Sequence, residues 1–402
     1  MLPSVVKLRV VAALLLLALS AAHGVILYRS GDPAENTTAP AGELADSGWQ
    51  HEGIWGGFLG TPIAPSFFVS AAHIGQQSAV LNFHGLDYPV VRGYSLRLGP
   101  APNGNPVYSD LIIWQIQGQF PSFAPLYSKQ DETGKHLITI GRGTERGGEI
   151  SHTYAGETTA RGWGWKDPAG AKRWGENIVS SIVAMNRHND DGIYALFDKL
   201  GLPHEAHLSN GDSGGAVFIQ DEGVWKLAGI NYAVDDLYPG PSSAGAFTAA
   251  IYDARGYYTK TGPATFELIE GTAPVPTGFY ATRISARLDW IYGVVDPTGD
   301  LDSDGIPNLL EHGLKLDPLV PDAAGRPTVS REGDFLALTY RKNLAQGDLV
   351  YAVEKSEDLA FWQTAETQDE VVPGGVDLEL VKAKVAIGNA QRLFLRLRVT
   401  RP

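Results

Sequence analysis

Between Val25 and Val295 the chain alternates short apolar runs with clusters of Gly, Pro, Asn and Ser. Ser66-Phe-Phe-Val-Ser70, Asp110-Leu-Ile-Ile-Trp-Gln-Ile116 and Gly215-Ala-Val-Phe-Ile219 are typical. Such runs, bounded by turn residues and repeated over a long stretch, predict many short strands in an all-β barrel or sandwich. Helical spacing enters late, where Ile284, Leu288 and Ile291 fall at i, i+4 and i+7 within Thr282–Tyr292. An acidic stretch at Asp296–Glu311 follows. The tail returns to period two, with Leu393, Leu395, Leu397 and Val399 alternating with Phe394, Arg396 and Arg398. The pattern divides the chain into a leader 1–24, a β-rich body 25–295, an acidic junction 296–321 and a small β domain 322–402.

The leader reads as an address. Lys7 and Arg9 precede the apolar run Val10–Leu19, and Ser20-Ala-Ala-His-Gly24 supplies small residues. This is the layout of a secretory signal peptide, cut after Ala22 or Gly24. The run is too short for the roughly 20 residues that span a bilayer. The mature chain is therefore expected to be secreted, extracellular or periplasmic, with no integral membrane segment. Composition removes other classes. With 402 residues, 32 basic against 45 acidic side chains, net charge −13 and no long basic run, the chain does not suit nucleic acid, which needs basic patches. No Cys is present, so disulfides, thiolate metal sites and a cysteine nucleophile are excluded. An exported chain without cysteine points to a bacterial source.

Candidate chemistry centres on Asn210-Gly-Asp-Ser213-Gly-Gly-Ala-Val217. A serine hydroxyl needs a base to take its proton and N–H groups to stabilise the developing oxyanion. Glycines on both sides allow a tight turn and a close substrate. Val69-Ser-Ala-Ala-His73 places an imidazole just after an apolar strand, and Ser109-Asp110-Leu-Ile-Ile113 places a carboxylate at the head of a buried one. A buried carboxylate needs a hydrogen-bonded partner, and an imidazole supplies it. The same Gly-x-Ser-x-Gly spacing also fits the nucleophile elbow of α/β-hydrolases. That fold places its histidine after the serine and alternates strands with helices, whereas here the order is His…Asp…Ser and helices are scarce.

In this order the three segments resemble the trypsin/chymotrypsin-like serine peptidases. Gly56-Gly-Phe-Leu59, Gly162-Trp-Gly164, Gly278-Phe-Tyr-Ala-Thr-Arg-Ile284 and Leu288-Asp-Trp-Ile291 extend the likeness over about residues 50–295. The resemblance implies a chymotrypsin-like double β-barrel with a C-terminal helix, acting on polypeptides. Ser213 would be the nucleophile, His73 the general base and acid, and Asp110 its orienting carboxylate. The Gly211 and Ser213 N–H groups would form the oxyanion hole. It also implies a substrate pocket with His207 at the floor, Asn231, Tyr232 and Ala233 along one wall and Gly278 on the other. The absence of Asp at 207 argues against Lys or Arg preference. In activated members of the family, the carboxylate at Asp212 binds a freed amino terminus. A cut after Gly24 would free Val25-Ile-Leu27, but the customary Ile-Val-Gly-Gly is missing. The expectation is a carboxylate satisfied internally, with no activating cut. The competing reading is a vestigial peptidase fold that serves extracellular binding or adhesion.

The acidic junction carries a second signature. Asp300, Asp302, Asp304, the Ile306 carbonyl, Asn308 and Glu311 occupy positions 1, 3, 5, 7, 9 and 12 of an EF-hand-like loop, with Gly305 at the turn. Three carboxylates at this spacing repel one another without a cation, so structural Ca2+ is expected here, with no cofactor needed for the chemistry. The remaining tail looks similar to C-terminal β modules of exported Verrucomicrobia-type bacterial proteins. It is read as a small β-sandwich-like domain with a cell-surface or matrix partner.

Overall fold

A computed structural model describes residues 22–100, 105–168, 170–185, 190–345, 347 and 349–401. Residues 1–21 of the expected signal peptide lie outside them. Six strands, Gly53–Trp55, Phe58–Ala64, Phe67–Ala71, Val80–Phe83, Leu86–Pro100 and Pro106–Ile116, close into an antiparallel barrel. Counted along the chain, they stand in the order 1-2-3-6-5-4 around it.

The continuous apolar runs have a simple cause. Alternate residues leave opposite faces of a strand, and here both faces are covered. Phe68, Ile112, Trp114 and Ile116 join Trp55, Leu81 and Phe83 in one cluster. Val69, Ala71, Leu111 and Ile113 join Ile138, Ile140, Phe218, Trp290 and Ile291 in another. The second cluster welds the barrel to the other half of the body.

That half is a seven-stranded sheet. Six of its strands are His136–Gly141, Arg173–Ile178, Asp190–Leu196, Ala216–Asp221, Val224–Val234 and Gly278–Arg283, and Ser181–Met185 pairs outside Asp190–Leu196. Counted along the chain, the six run 2-1-4-5-6-3, the same cyclic order as the barrel but open between strands 2 and 3. A side chain bridges this seam: buried Asn177 donates from Nδ2 to Leu196 O at 2.8 Å and to Ala206 O at 2.9 Å. Leaving buried carbonyls unpaired costs about 1–3 kcal/mol each. Asn177→Ala is therefore expected to destabilise the body by roughly 2–4 kcal/mol, read as a lower midpoint in urea denaturation.

The helix expected over Thr282–Tyr292 begins later. Thr282 lies opposite both Gly192 and Ile230, so it is held in a ladder on two sides. Pairing on both edges outweighs the local helical spacing. Helix α1 spans Leu288–Val295 and buries Leu288, Trp290, Ile291 and Val294. Helix α2, Asn308–Leu314, follows the acidic loop.

The tail forms a four-stranded sheet, Thr328–Glu332, Phe335–Asn343, Leu378–Ala386 and Gln368–Gly375, and a three-stranded one, Gln363–Thr364, Val350–Ser356 and Phe394–Thr400. Leu338, Tyr340, Val381 and Val385 of the first sheet share a core with Val353 of the second. Ile306, Leu314 and Leu316 from the acidic junction belong to that same core. No helix among the described residues is long and apolar enough to cross a membrane.

Candidate active site

Strand pairing brings the first two groups together. Ala71 lies opposite Leu111, so His73, two residues past the end of one strand, and Asp110, on the other, are carried to the same end of the pair. The chain leaves the strand through a 3-10 turn, Ala72–Ile74. There the His73 ring is 39% exposed, whereas Asp110 is 8% exposed.

Asp110 Oδ1 accepts the His73 backbone N–H at 2.8 Å. His73 Nδ1 lies 3.0 and 2.9 Å from Asp110 Oδ1 and Oδ2. An ionised carboxylate only accepts, so Nδ1 carries the proton and Nε2 presents a lone pair. Nε2 lies 2.9 Å from Ser213 Oγ. Burial raises the Asp110 carboxyl above its ordinary range, opposed by the hydrogen bonds and charge of His73.

A second carboxylate stands behind the first. Asp190, fully buried, accepts the Asp110 backbone N–H at 2.9 Å and the Ser109 hydroxyl at 2.7 Å. Arg287, just before α1, donates to its other oxygen at 2.9 Å. This pair fixes the strand that presents Asp110. No sequence pattern pointed to it, because Asp190 lies 80 residues from Asp110 and 97 from Arg287.

The Ser213 turn is shaped by contacts that only glycine allows. Gly214 has φ +79°, and a Cβ there would sit 2.4 Å from Ser70 Oγ. Gly211 has φ +93°, a left-handed conformation that glycine adopts without a Cβ penalty. Among the described residues, neither the Gly211 nor the Ser213 N–H has a hydrogen-bond partner. Two free donors beside a nucleophile are what a developing oxyanion requires.

Between them, Asp212 points inward and is buried. It accepts Ser209 N–H at 2.7 Å, the Ser209 hydroxyl at 2.9 Å and Gly143 N–H at 2.7 Å. The Val25 backbone N–H also reaches both of its oxygens, at 3.2 and 3.1 Å. Desolvation raises the Asp212 carboxyl, opposed by these hydrogen bonds. Buried Arg173 clamps the incoming segment, donating to Val25 O at 3.3 Å, Asp32 O at 2.9 Å and Pro33 O at 2.8 Å.

Beside Ser213 opens a cavity of about 230 Å3 lined by Trp165, Leu208, Tyr232, Ala233, Val234 and Thr248. Tyr232 also packs edge-on against His73, with ring centroids 5.7 Å apart. The structure thus gathers Tyr232 and Ala233 at the cavity. Three other pocket positions take different places. Asn231 is fully buried and donates to Ile140 O at 2.9 Å and Asp212 O at 3.3 Å, bracing the Ser213 turn. His207 is sealed between Phe197 and Phe279, with Nδ1 2.6 Å from Leu208 O, and burial lowers its pKa so that it stays neutral. Gly278 donates to Asp235 at 2.7 Å, and a Cβ there would strike the Tyr194 ring at 2.5 Å. Trp165 and Thr248 line the cavity without having been singled out, since each comes from a distant segment.

The fold and site together define an all-β, chymotrypsin-like architecture with a Ser-His-Asp arrangement drawn from both halves. No protein-family model matches the chain, and no curated protein matches it significantly. Solved structures that align include neuropsin, a serine protease expressed in the limbic system of mouse brain, at 16% identity and TM-score 0.37, covering 63% of this chain and 98% of that one. Kallikrein-related peptidase 10 aligns at 13% identity and TM-score 0.35, covering 64% of this chain and 100% of that one. Likeness at this level decides nothing about activity. The geometry of the site has to do so.

Proposed function

We propose that the protein is an exported serine endopeptidase that hydrolyses polypeptides through an acyl-enzyme. The observation that carries this is the unbroken line from Asp110 through His73 to Ser213 Oγ, ending beside two free N–H groups. His73 Nε2 takes the Ser213 proton as Oγ attacks the scissile carbonyl, and the Gly211 and Ser213 N–H groups receive the oxyanion. His73 then protonates the leaving amine, and water repeats the sequence to release the acyl group. Asp110 holds the tautomer and stabilises the imidazolium. The cavity beside Ser213 has no charged side chain among its described lining residues, so an uncharged, apolar side chain before the scissile bond suits it better than Lys or Arg.

Val25 belongs to the same proposal. As an interior residue it holds φ +58°, a region that costs a β-branched side chain of order 1–3 kcal/mol. Its N–H meets a buried carboxylate. Cutting the Gly24–Val25 bond removes the φ constraint and turns that amide into an ammonium facing Asp212. Removal of the expected leader would thus complete the site.

A fluorophosphonate is the direct test. It is expected to label Ser213 in the folded protein, and faster when it carries an apolar residue than a lysine at the position entering the cavity. Absence of labelling, with the chain beginning at Val25, would sink the enzyme reading and favour a binding or adhesion role.

A further inference from the structure

The loop between α1 and α2 holds carboxylates that the chain leaves incompletely satisfied. One ligand oxygen from each of Asp300, Asp302 and Asp304 can be chosen so that all three lie within 4.8 Å of one another. Part of their capacity is used by the loop, since Asp300 accepts Gly305 N–H at 2.8 Å and Asp304 accepts Ile306 N–H at 2.8 Å. These bonds shape the turn and say nothing about a ligand.

Two buried side chains of α2 do. Asn308 is fully buried and Glu311 is 1% exposed. Asn308 Oδ1 and Glu311 Oε2 have no hydrogen-bond partner among the described residues, nor has the buried Asp302 Oδ2. The charges acting most strongly on Glu311 are Asp302, Asp304 and Asp300, all of its own sign. Among the described residues no Lys or Arg forms an ion pair with any of these carboxylates. Arg326 comes near the turn at Gly305 without pairing with them. Buried acceptors without donors, in the field of like charges, are costly unless a cation offsets them.

We propose that this loop is a divalent-cation site of calcium type, with oxygen ligands from Asp300, Asp302, Asp304, the Ile306 carbonyl, Asn308 and Glu311. An all-oxygen set on a loop of this kind suits Ca2+, whereas Mg2+ demands tighter octahedral geometry and keeps its waters.

The placement gives the ion a mechanical role. Asn308 N–H donates to Gly299 O at 2.8 Å, and its Nδ2 donates to Asp296 O, at the end of α1, at 2.9 Å. His312 Nδ1 lies 2.9 Å from Asp289 on α1, while Ile306 and Leu314 sit in the tail's core. A cation closing the loop therefore fastens the last helix of the peptidase body to the C-terminal domain.

The test uses the full chain and reads binding and melting rather than proteolysis. Titration with CaCl2 is expected to give one site with a dissociation constant on the order of 10⁻⁵–10⁻³ M, as for sensor-type and extracellular loops. Saturating calcium should raise Tm, and chelator should reverse the rise. MgCl2 should bind at least tenfold more weakly. Asp300→Asn/Asp304→Asn keeps side-chain oxygens for the turn's own hydrogen bonds and should fold with an unchanged circular dichroism spectrum. It should lose both the binding heat and the calcium-dependent part of Tm, whereas Asp317→Asn should behave as the parent. The proposal is overturned if the parent shows no binding heat and no Tm change up to about 10 mM calcium, ten times the weak end of such sites. It is equally overturned if the double variant binds as the parent does, or if Mg2+ binds as tightly as Ca2+.

Discussion

Ser213→Ala is expected to lower kcat on a peptide substrate by on the order of 10⁴–10⁶, with little change in KM. The size follows from what remains. The variant keeps the Gly211 N–H, the N–H at position 213 and the cavity, so substrate binding and oxyanion stabilisation persist. These alone still leave roughly 10³–10⁴ over the uncatalysed rate. What is lost is the atom that attacks, and with it any task for His73. His73→Ala should therefore cost about as much, and the double variant little more than either alone, because the two groups act as one unit. Steady-state kinetics on the three proteins measure this directly. A Ser213→Ala enzyme within tenfold of the parent, or costs that simply add, would remove Ser213 from the role assigned to it.

The second large effect concerns the amino terminus. A chain beginning at Val25 is expected to exceed one retaining Gly24 by on the order of 10²–10⁴ in kcat/KM. The range converts the 3–5 kcal/mol at stake when one member of a buried ion pair is removed, at 1.4 kcal/mol per factor of ten. Asp212 separates Gly211 from Ser213, so whatever holds its carboxylate inward also holds the two free N–H groups on either side of it. In the intact chain an amide N–H does so at 3.1–3.2 Å, and the strained φ of Val25 works against it. A free ammonium removes the strain and supplies the missing charge. Asp212→Asn should erase the difference between the two starting points. Equal activity from both starts would show that the terminus plays no part.

The candidate site was legible where its chemistry is local. His73 follows its strand by two residues, and the glycines around Ser213 mark the turn whatever surrounds it. The helix was misplaced at its start because periodicity in Ile284, Leu288 and Ile291 cannot reveal that Thr282 is claimed by strands on both sides. The family resemblance places His207 and Asn231 in the substrate pocket. Their side chains turned to other partners, one into the space between Phe197 and Phe279, the other onto the backbone of the nucleophile turn.

By itself the sequence determined the all-β class, the glycine-flanked turn that carries Ser213 and the spacing of the acidic residues from Asp300 to Glu311. Each rests on spacing between near neighbours, which covalent geometry sets. Tertiary structure alone decided the rest. It set Asp190 and Arg287 behind Asp110, brought Trp165 and Thr248 to the cavity, left Asn308 Oδ1 and Glu311 Oε2 buried without a partner, and laid Val25 against Asp212 across 187 residues. These meetings depend on which faces two halves bury against each other, and no spacing along the chain encodes that.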